Sequence, residues 1–114
     1  MGLMTGKYTI ITGGGTGLGY GVAERFLEED AASVMIVGRR EEVLQAAADK
    51  LAKLGANGEI RYKVCDVTEE DQVAAAVEAA CNSKGELDVM VSNAGTGLPN
   101  AVIDADVSAG KALL

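Results

Sequence analysis

The chain reads as half of a doubly wound α/β fold, with about four parallel strands in the order 3-2-1-4. Three observations predict it. Short β-branched runs alternate with longer segments of helical period. The run Ser33-Val34-Met35-Ile36-Val37 is continuously apolar, as in a parallel strand buried on both faces. A cluster of glycines separates the first strand from the first helix. At 114 residues the chain is expected to be a single partial domain over 1–114, because domains usually run to about 100–200 residues.

The elements follow in order. Tyr8-Thr9-Ile10-Ile11-Thr12 is a strand that ends at the glycines. Residues 17–30 form a helix with Leu18, Val22, Phe26 and Leu27 at helical spacing. After the second strand, residues 41–54 are helical again, with a stripe of Val43, Leu44, Ala47, Leu51 and Leu54. Glu41 and Glu42 suit the positive end of that helix dipole, and Gly55 stands where a C-cap belongs. Residues 59–65 are the third strand. Thr68 with Asp71 has the spacing of a capping box in acidic form, and the helix it opens runs to Lys84 with Val73, Ala76, Val77 and Ala80 on one side. The fourth strand spans 87–92 and ends at Asn93-Ala94-Gly95. Residues 98–114 are a tail or, from Asp104, the start of a further helix. Each crossover is expected to be right-handed.

Composition narrows the function. Apolar types make up 48% of the chain, and 17 acidic against 10 basic side chains give a net charge of −7. Neither nucleic acid nor an anionic membrane is an expected partner, since both need a cationic face. No apolar stretch approaches the roughly 18–20 residues of a spanning helix. The N-terminal residues have no signal-peptide pattern, and Gly6 stands where a myristoylation motif prefers Ser or Thr. Cys65 and Cys81 are read as two buried thiols of a reducing compartment, cytoplasmic or organelle matrix. There is no histidine, which excludes zinc sites and Ser-His-Asp catalysis, and no metal residues are assigned.

The segment that carries chemistry is Thr12-Gly13-Gly14-Gly15-Thr16-Gly17-Leu18-Gly19. After a strand the chain must reverse sharply, which glycine permits through positive φ. The backbone must let an anion approach closely, and the N–H groups at the start of the helix must face it. Gly13, Gly17 and Gly19 fit those roles, Gly15 extends the turn, and Thr16 and Leu18 offer a hydroxyl and backbone donors. No Lys-Ser/Thr pair follows, so this is not a Walker A loop, and Tyr20 occupies the third glycine position of G-x-G-x-x-G counted from Gly15.

The spacing is T-G-x-x-x-G-x-G. Together with Asp66-Val67 after the third strand and Asn93-Ala94-Gly95 after the fourth, it resembles the N-terminal, cofactor-binding half of the short-chain dehydrogenase/reductase family, over roughly residues 5–97. The resemblance implies a Rossmann-like fold and a nicotinamide dinucleotide. It puts Gly13, Gly17 and Gly19 under the pyrophosphate and Thr16 on a phosphate. Asp66 would meet the adenine amino group, Val67 would pack beside the adenine, and Asn93, Ala94 and Gly95 would border the nicotinamide ribose.

The end of the second strand bears on which cofactor. Free ribose hydroxyls are usually held by Asp or Glu there, and a 2′-phosphate calls for Arg. The chain has Val37-Gly38-Arg39-Arg40, so NADP(H) is expected over NAD(H), with Arg39 and Arg40 in the binding set.

The family's catalytic Ser and Tyr-x-x-x-Lys are not found. Four residues after Tyr8, Tyr20 and Tyr62 stand Thr12, Glu24 and Asp66, so no catalytic residue is assigned. By resemblance the parent reaction is hydride transfer between NADP(H) and a carbonyl or alcohol, with a small-molecule substrate held only by a longer parent. This chain alone, read as a truncated fragment, is expected to be inactive. A fourth strand without a fifth would leave Val89-Met90-Val91 as an open edge, with one face of the sheet under-covered, and self-association is expected there. Two other readings compete: a non-catalytic nucleotide-binding module, and an S-adenosylmethionine-dependent methyltransferase, for which Arg39 has the wrong charge.

Overall fold

A computed structural model describes residues 2–13, 15 and 17–92, together with the backbone of 101–104. Its elements are β1 (Tyr8–Thr12), α1 (Gly17–Glu28), β2 (Ser33–Gly38), α2 (Glu41–Ala52), β3 (Glu59–Val64), α3 (Glu70–Ala80), β4 (Val89–Ser92) and β5 (Ala101–Asp104). The sheet order is β3-β2-β1-β4-β5. The first four strands are parallel, with Ile10 opposite Met35 and Met90, and Arg61 opposite Met35 on its other side. The expected order 3-2-1-4 is therefore the observed one.

Strand alternation sorts the core into two layers. Ile11, Val34, Ile36, Val89 and Val91 face α1 and α2, meeting Ala23, Leu27, Leu44, Ala47 and Leu51. Ile10, Met35, Val37 and Met90 face the other way, onto Val73, Ala76, Val77 and Ala80 of α3. The contact face of α1 is narrower than expected. Gly19, Ala23 and Leu27 are its buried positions, while Leu18 is 62% exposed.

Two expectations about the sheet are corrected. The edge of β4 is not open, because β5 pairs antiparallel with it from Val89↔Asp104 to Ser92↔Ala101. Asp104 thus ends a strand instead of opening a helix, and residues 105–114 lie outside the described residues. Nor is the α3 face bare: Ile10, Met35, Val37 and Met90 are each at most 4% exposed. The physical reason given for self-association at that edge is removed.

Local chemistry also shifts some helix ends. Thr68 does not form a capping box with Asp71. Its N–H and hydroxyl both donate to Asp66 Oδ1, at 2.9 and 2.7 Å, and the residue before α3 is Glu69, with no side-chain cap. α3 stops before Lys84 because Asn82 Oδ1 accepts the N–H groups of Lys84 and Glu86, at 2.9 and 3.0 Å, offering the backbone a turn instead of a helix. The cap of α2 is Lys53, two residues before the positive-φ Gly55. Arg61 of β3 ties α3 to the sheet: its guanidinium donates to the carbonyls of Ala79 and Ala80 and to Ser33 Oγ. Among the described residues no helix is long and apolar enough to cross a membrane.

Candidate functional site

The carboxyl ends of β1, β2 and β3 lie along one rim of the sheet, and β1 sits between β2 and β4, where the strand order reverses. In open parallel sheets, ligands bind in the crevice at such a point. Gly13 leaves β1 with φ +66°, and its N–H donates to Val37 O at 2.8 Å, so the turn is fastened to the end of β2. Gly17, with φ +56°, opens α1. Gly19 is buried on the first turn of that helix, beside the exposed Leu18.

Gly15 has a different reason to be glycine. A Cβ there would stand 2.8 Å from Val43 Cγ1 and 3.6 Å from Leu44 Cδ2, so the turn rests directly on the first turn of α2. Between them is a cavity of about 200 Å³ lined by Gly13, Gly15, Val37, Gly38, Arg39, Arg40, Val43 and Leu44. Its lining brings the glycine turn and both arginines together, and among the described residues it includes no carboxylate. Gly15→Ala is expected to weaken ligand binding in this cavity about tenfold by displacing Val43. Adding Val43→Ala should return most of the loss, as measured by a double-mutant cycle of binding affinities.

The arginines differ. Arg40 Nε pairs with Glu42 Oε1 at 3.2 Å, and both side chains are mostly exposed. Backbone hydrogen bonding first, and the Arg40 guanidinium second, hold the Glu42 carboxyl below its usual range. Arg39 is exposed and has no ion-pair partner within 4 Å among the described residues. Its charge does reach Asp66, whose carboxyl is held below the ordinary aspartate value chiefly by the Thr68 hydroxyl, then by the Thr68 N–H, with Arg39 adding to both. Asp66 and the 36%-exposed Val67 therefore share the rim without lining the cavity. Thr16, Asn93, Ala94 and Gly95 lie outside the described residues.

Sequence reasoning missed three contributors. Val43 and Leu44 were read only as core stripe, yet they form the cavity wall. Gln72 Oε1 accepts the Asp66 N–H at 2.7 Å, a contact across six residues that no local motif announces. Both cysteines are free; Cys65 is buried as expected, but Cys81 is only half-buried, at the end of α3, and burial pushes both thiols upward. Among the described residues no group of three or more potential ligands could hold a metal ion.

Comparison with known proteins places this rim in a family. The family model described as short chain dehydrogenase matches residues 7–112. The chain belongs to the short-chain dehydrogenase/reductase family. Among its relatives, "Oxidoreductase asL5" of Sarocladium schorii is 43% identical over 96 residues, which is 83% of this chain and 36% of that protein. A short chain dehydrogenase from Mycobacterium smegmatis superposes with a TM-score of 0.76 at 41% identity, covering 85% of this chain and 39% of the other. L-Sorbose reductase from Gluconobacter frateurii, solved with NADPH and L-sorbose, gives a TM-score of 0.73 at 37% identity, covering 86% and 36%. The chain thus spans somewhat over a third of the length of these family members.

Proposed function

We propose that this chain is the NADP(H)-binding, N-terminal half of a short-chain dehydrogenase/reductase, an oxidoreductase that moves hydride between NADP(H) and a carbonyl or alcohol. One observation carries the reading. The cavity beside the glycine turn has Arg39 and Arg40 among its lining residues and, among the described residues, no acidic residue. A ribose with free hydroxyls would be served by an acid at the end of β2, whereas a 2′-phosphate is served by Arg39. The family relative solved with NADPH supports the same cofactor.

In this reading, the backbone N–H groups of the turn between Gly13, whose own N–H is bonded to Val37 O, and Gly19 hold the diphosphate at the positive end of α1. Gly15 keeps the turn close to α2, where a Cβ would intrude. Thr16 adds a hydroxyl toward a phosphate. Val43 and Leu44 exclude water from one side of the adenosine, Asp66 accepts from the adenine amino group, and Val67 covers the base. Asn93, Ala94 and Gly95 border the nicotinamide ribose. When bound, the nicotinamide ring supplies the hydride.

No tyrosine in the 114 residues has a lysine four positions on, so the chain alone is proposed to bind the dinucleotide without turning over substrate. Isothermal titration with NADPH and an NADPH-oxidation assay on a panel of ketones test both halves. Saturable binding with no oxidation above background is expected. Turnover by the purified chain would refute the second half, and absence of NADPH binding would refute the first.

A further inference from the structure

The outer edge of β3 has no strand beside it among the described residues, because the sheet order begins β3-β2. Glu59 and Cys65 turn their N–H groups inward, to the carbonyls of Ala32 and Gly38 at 2.9 and 2.7 Å. Main-chain groups alternate sides along a strand. Arg61 and Lys63 therefore also bond inward, and the N–H and C=O groups of Ile60, Tyr62 and Val64 face outward. The pairing with β2 runs in unbroken register from Glu59 to Val64, so no bulge twists this edge away. The cation at the middle of the strand is committed elsewhere. Arg61 donates to the carbonyls of Ala79 and Ala80 and to Ser33 Oγ, and it pairs with Glu59 at 3.1 Å. One face of the edge is thus an apolar row, with Ile60 and Tyr62 half-buried and Val64 46% exposed. The other face is the charged row of Glu59, Arg61 and Lys63.

We propose that this edge is a homodimer interface: a second copy of the chain adds its own β3 antiparallel, about a two-fold axis through Arg61, into one continuous sheet. The charge pattern selects that register. Outward-facing residues must oppose outward-facing ones, so only registers of one parity can form hydrogen bonds. Centred on Arg61, Ile60 of each copy exchanges N–H···O bonds with Tyr62 of the other. Glu59 then stands opposite Lys63 twice, in the closer pairs that carry no hydrogen bonds. Centred on Tyr62 instead, Arg61 would face Lys63 on both sides of the axis, and centred on Lys63, like would face like. Arg61 meets its own copy across the proposed axis. Its guanidinium, however, reaches back over the carbonyl end of α3, whose partial negative charge offsets the repulsion. A two-fold contact of this kind is self-complementary, so one chain supplies both halves. The interface lies at the edge opposite β5 and does not depend on what the glycine rim binds.

The test is analytical ultracentrifugation of the 114-residue chain across a dilution series, which should show a monomer–dimer equilibrium. Lys63→Glu sets two carboxylates against each other at both ends of the pairing, and Glu59→Lys sets two ammonium groups. Each alone should raise the dimer dissociation constant about tenfold, the scale of two exposed pairs turned from attraction to repulsion. An equimolar mixture of the two variants restores both opposite-charge pairs and should return the dimer. The mixture also separates lost pairing from lost folding, since misfolded chains would not recover on mixing. Amide exchange reads the register. The N–H groups of Ile60 and Tyr62 should be protected in concentrated wild type and lose protection on dilution, while those of Arg61 and Lys63 stay protected throughout. A wild-type chain that remains monomeric at millimolar concentration would overturn the proposal. So would a dimer that either charge reversal leaves intact, a mixture that stays monomeric, or Ile60 and Tyr62 amides whose exchange ignores concentration.

Discussion

Replacing Arg39 with serine is expected to weaken NADPH binding by about 10- to 100-fold while NADH binding changes by about twofold or less. The range is that of a hydrogen bond to a charged group, about 1.5–3 kcal/mol, lost without compensation. Arg39 has no ion pair to break in the free chain among the described residues, so its guanidinium is available to an incoming phosphate. Arg40→Ser is the control. Arg40 is already paired with Glu42 at 3.2 Å in an exposed position, and its loss is expected to cost about threefold or less. Parallel titrations of the two variants with both dinucleotides read the difference. Equal losses for NADPH and NADH in Arg39→Ser would contradict the assignment of the 2′-phosphate to this residue.

The largest stability effect is expected far from the rim, at Gly58. A Cβ built there stands 2.0 Å from the carbonyl oxygen of Ala31, which is backbone, and 3.4 Å from Leu27 Cδ2. Ala31 and Leu27 are at most 2% exposed, so neither neighbour has space to retreat. Moving the strand away would strain the Glu59 N–H bond to Ala32 O, at 2.9 Å, which starts the β2–β3 pairing. Gly58→Ala should therefore cost about 3 kcal/mol or more, the upper range of overpacking, and lower the melting temperature by about 10–20 °C. Gly85→Ala makes the comparison informative. Gly85 has φ +77° with nothing within 4 Å of a new Cβ, so only backbone strain of about 1–2 kcal/mol applies. A Gly58→Ala variant that melts within a few degrees of wild type would show that the two connections are not in contact.

These two residues also mark what the sequence does and does not disclose. That Arg39 would stand beside the glycine turn was legible because the end of a second parallel strand has a fixed relation to that turn. The order of the four parallel strands was legible for a similar reason: alternating strands and helices leave few right-handed arrangements. Gly58 was not legible. Its demand is steric and comes from Ala31, 27 positions away, and no local pattern distinguishes it from an ordinary loop glycine. The same applies to Val43, whose helical spacing announces a core position and not a cavity wall. Thr68 was misread because the capping-box spacing to Asp71 competes with Asp66, two residues upstream, and the upstream carboxylate wins with two hydrogen bonds. β5 was missed because four residues are too few to display a period, and its pairing with β4 is a long-range event.

The glycine turn and the end of β2 are proposed to form one receiving surface for a dinucleotide phosphate. Backbone amide NMR of the labelled chain, titrated with NADPH, tests it most directly. The amides of Gly13, Gly15, Gly17, Leu18 and Arg39 should shift together along one saturation curve. The loop around Cys81 and Lys84, which lines a separate cavity of about 500 Å³, should stay still. Shifts confined to that second cavity, or none at all at saturating NADPH, would contradict the account.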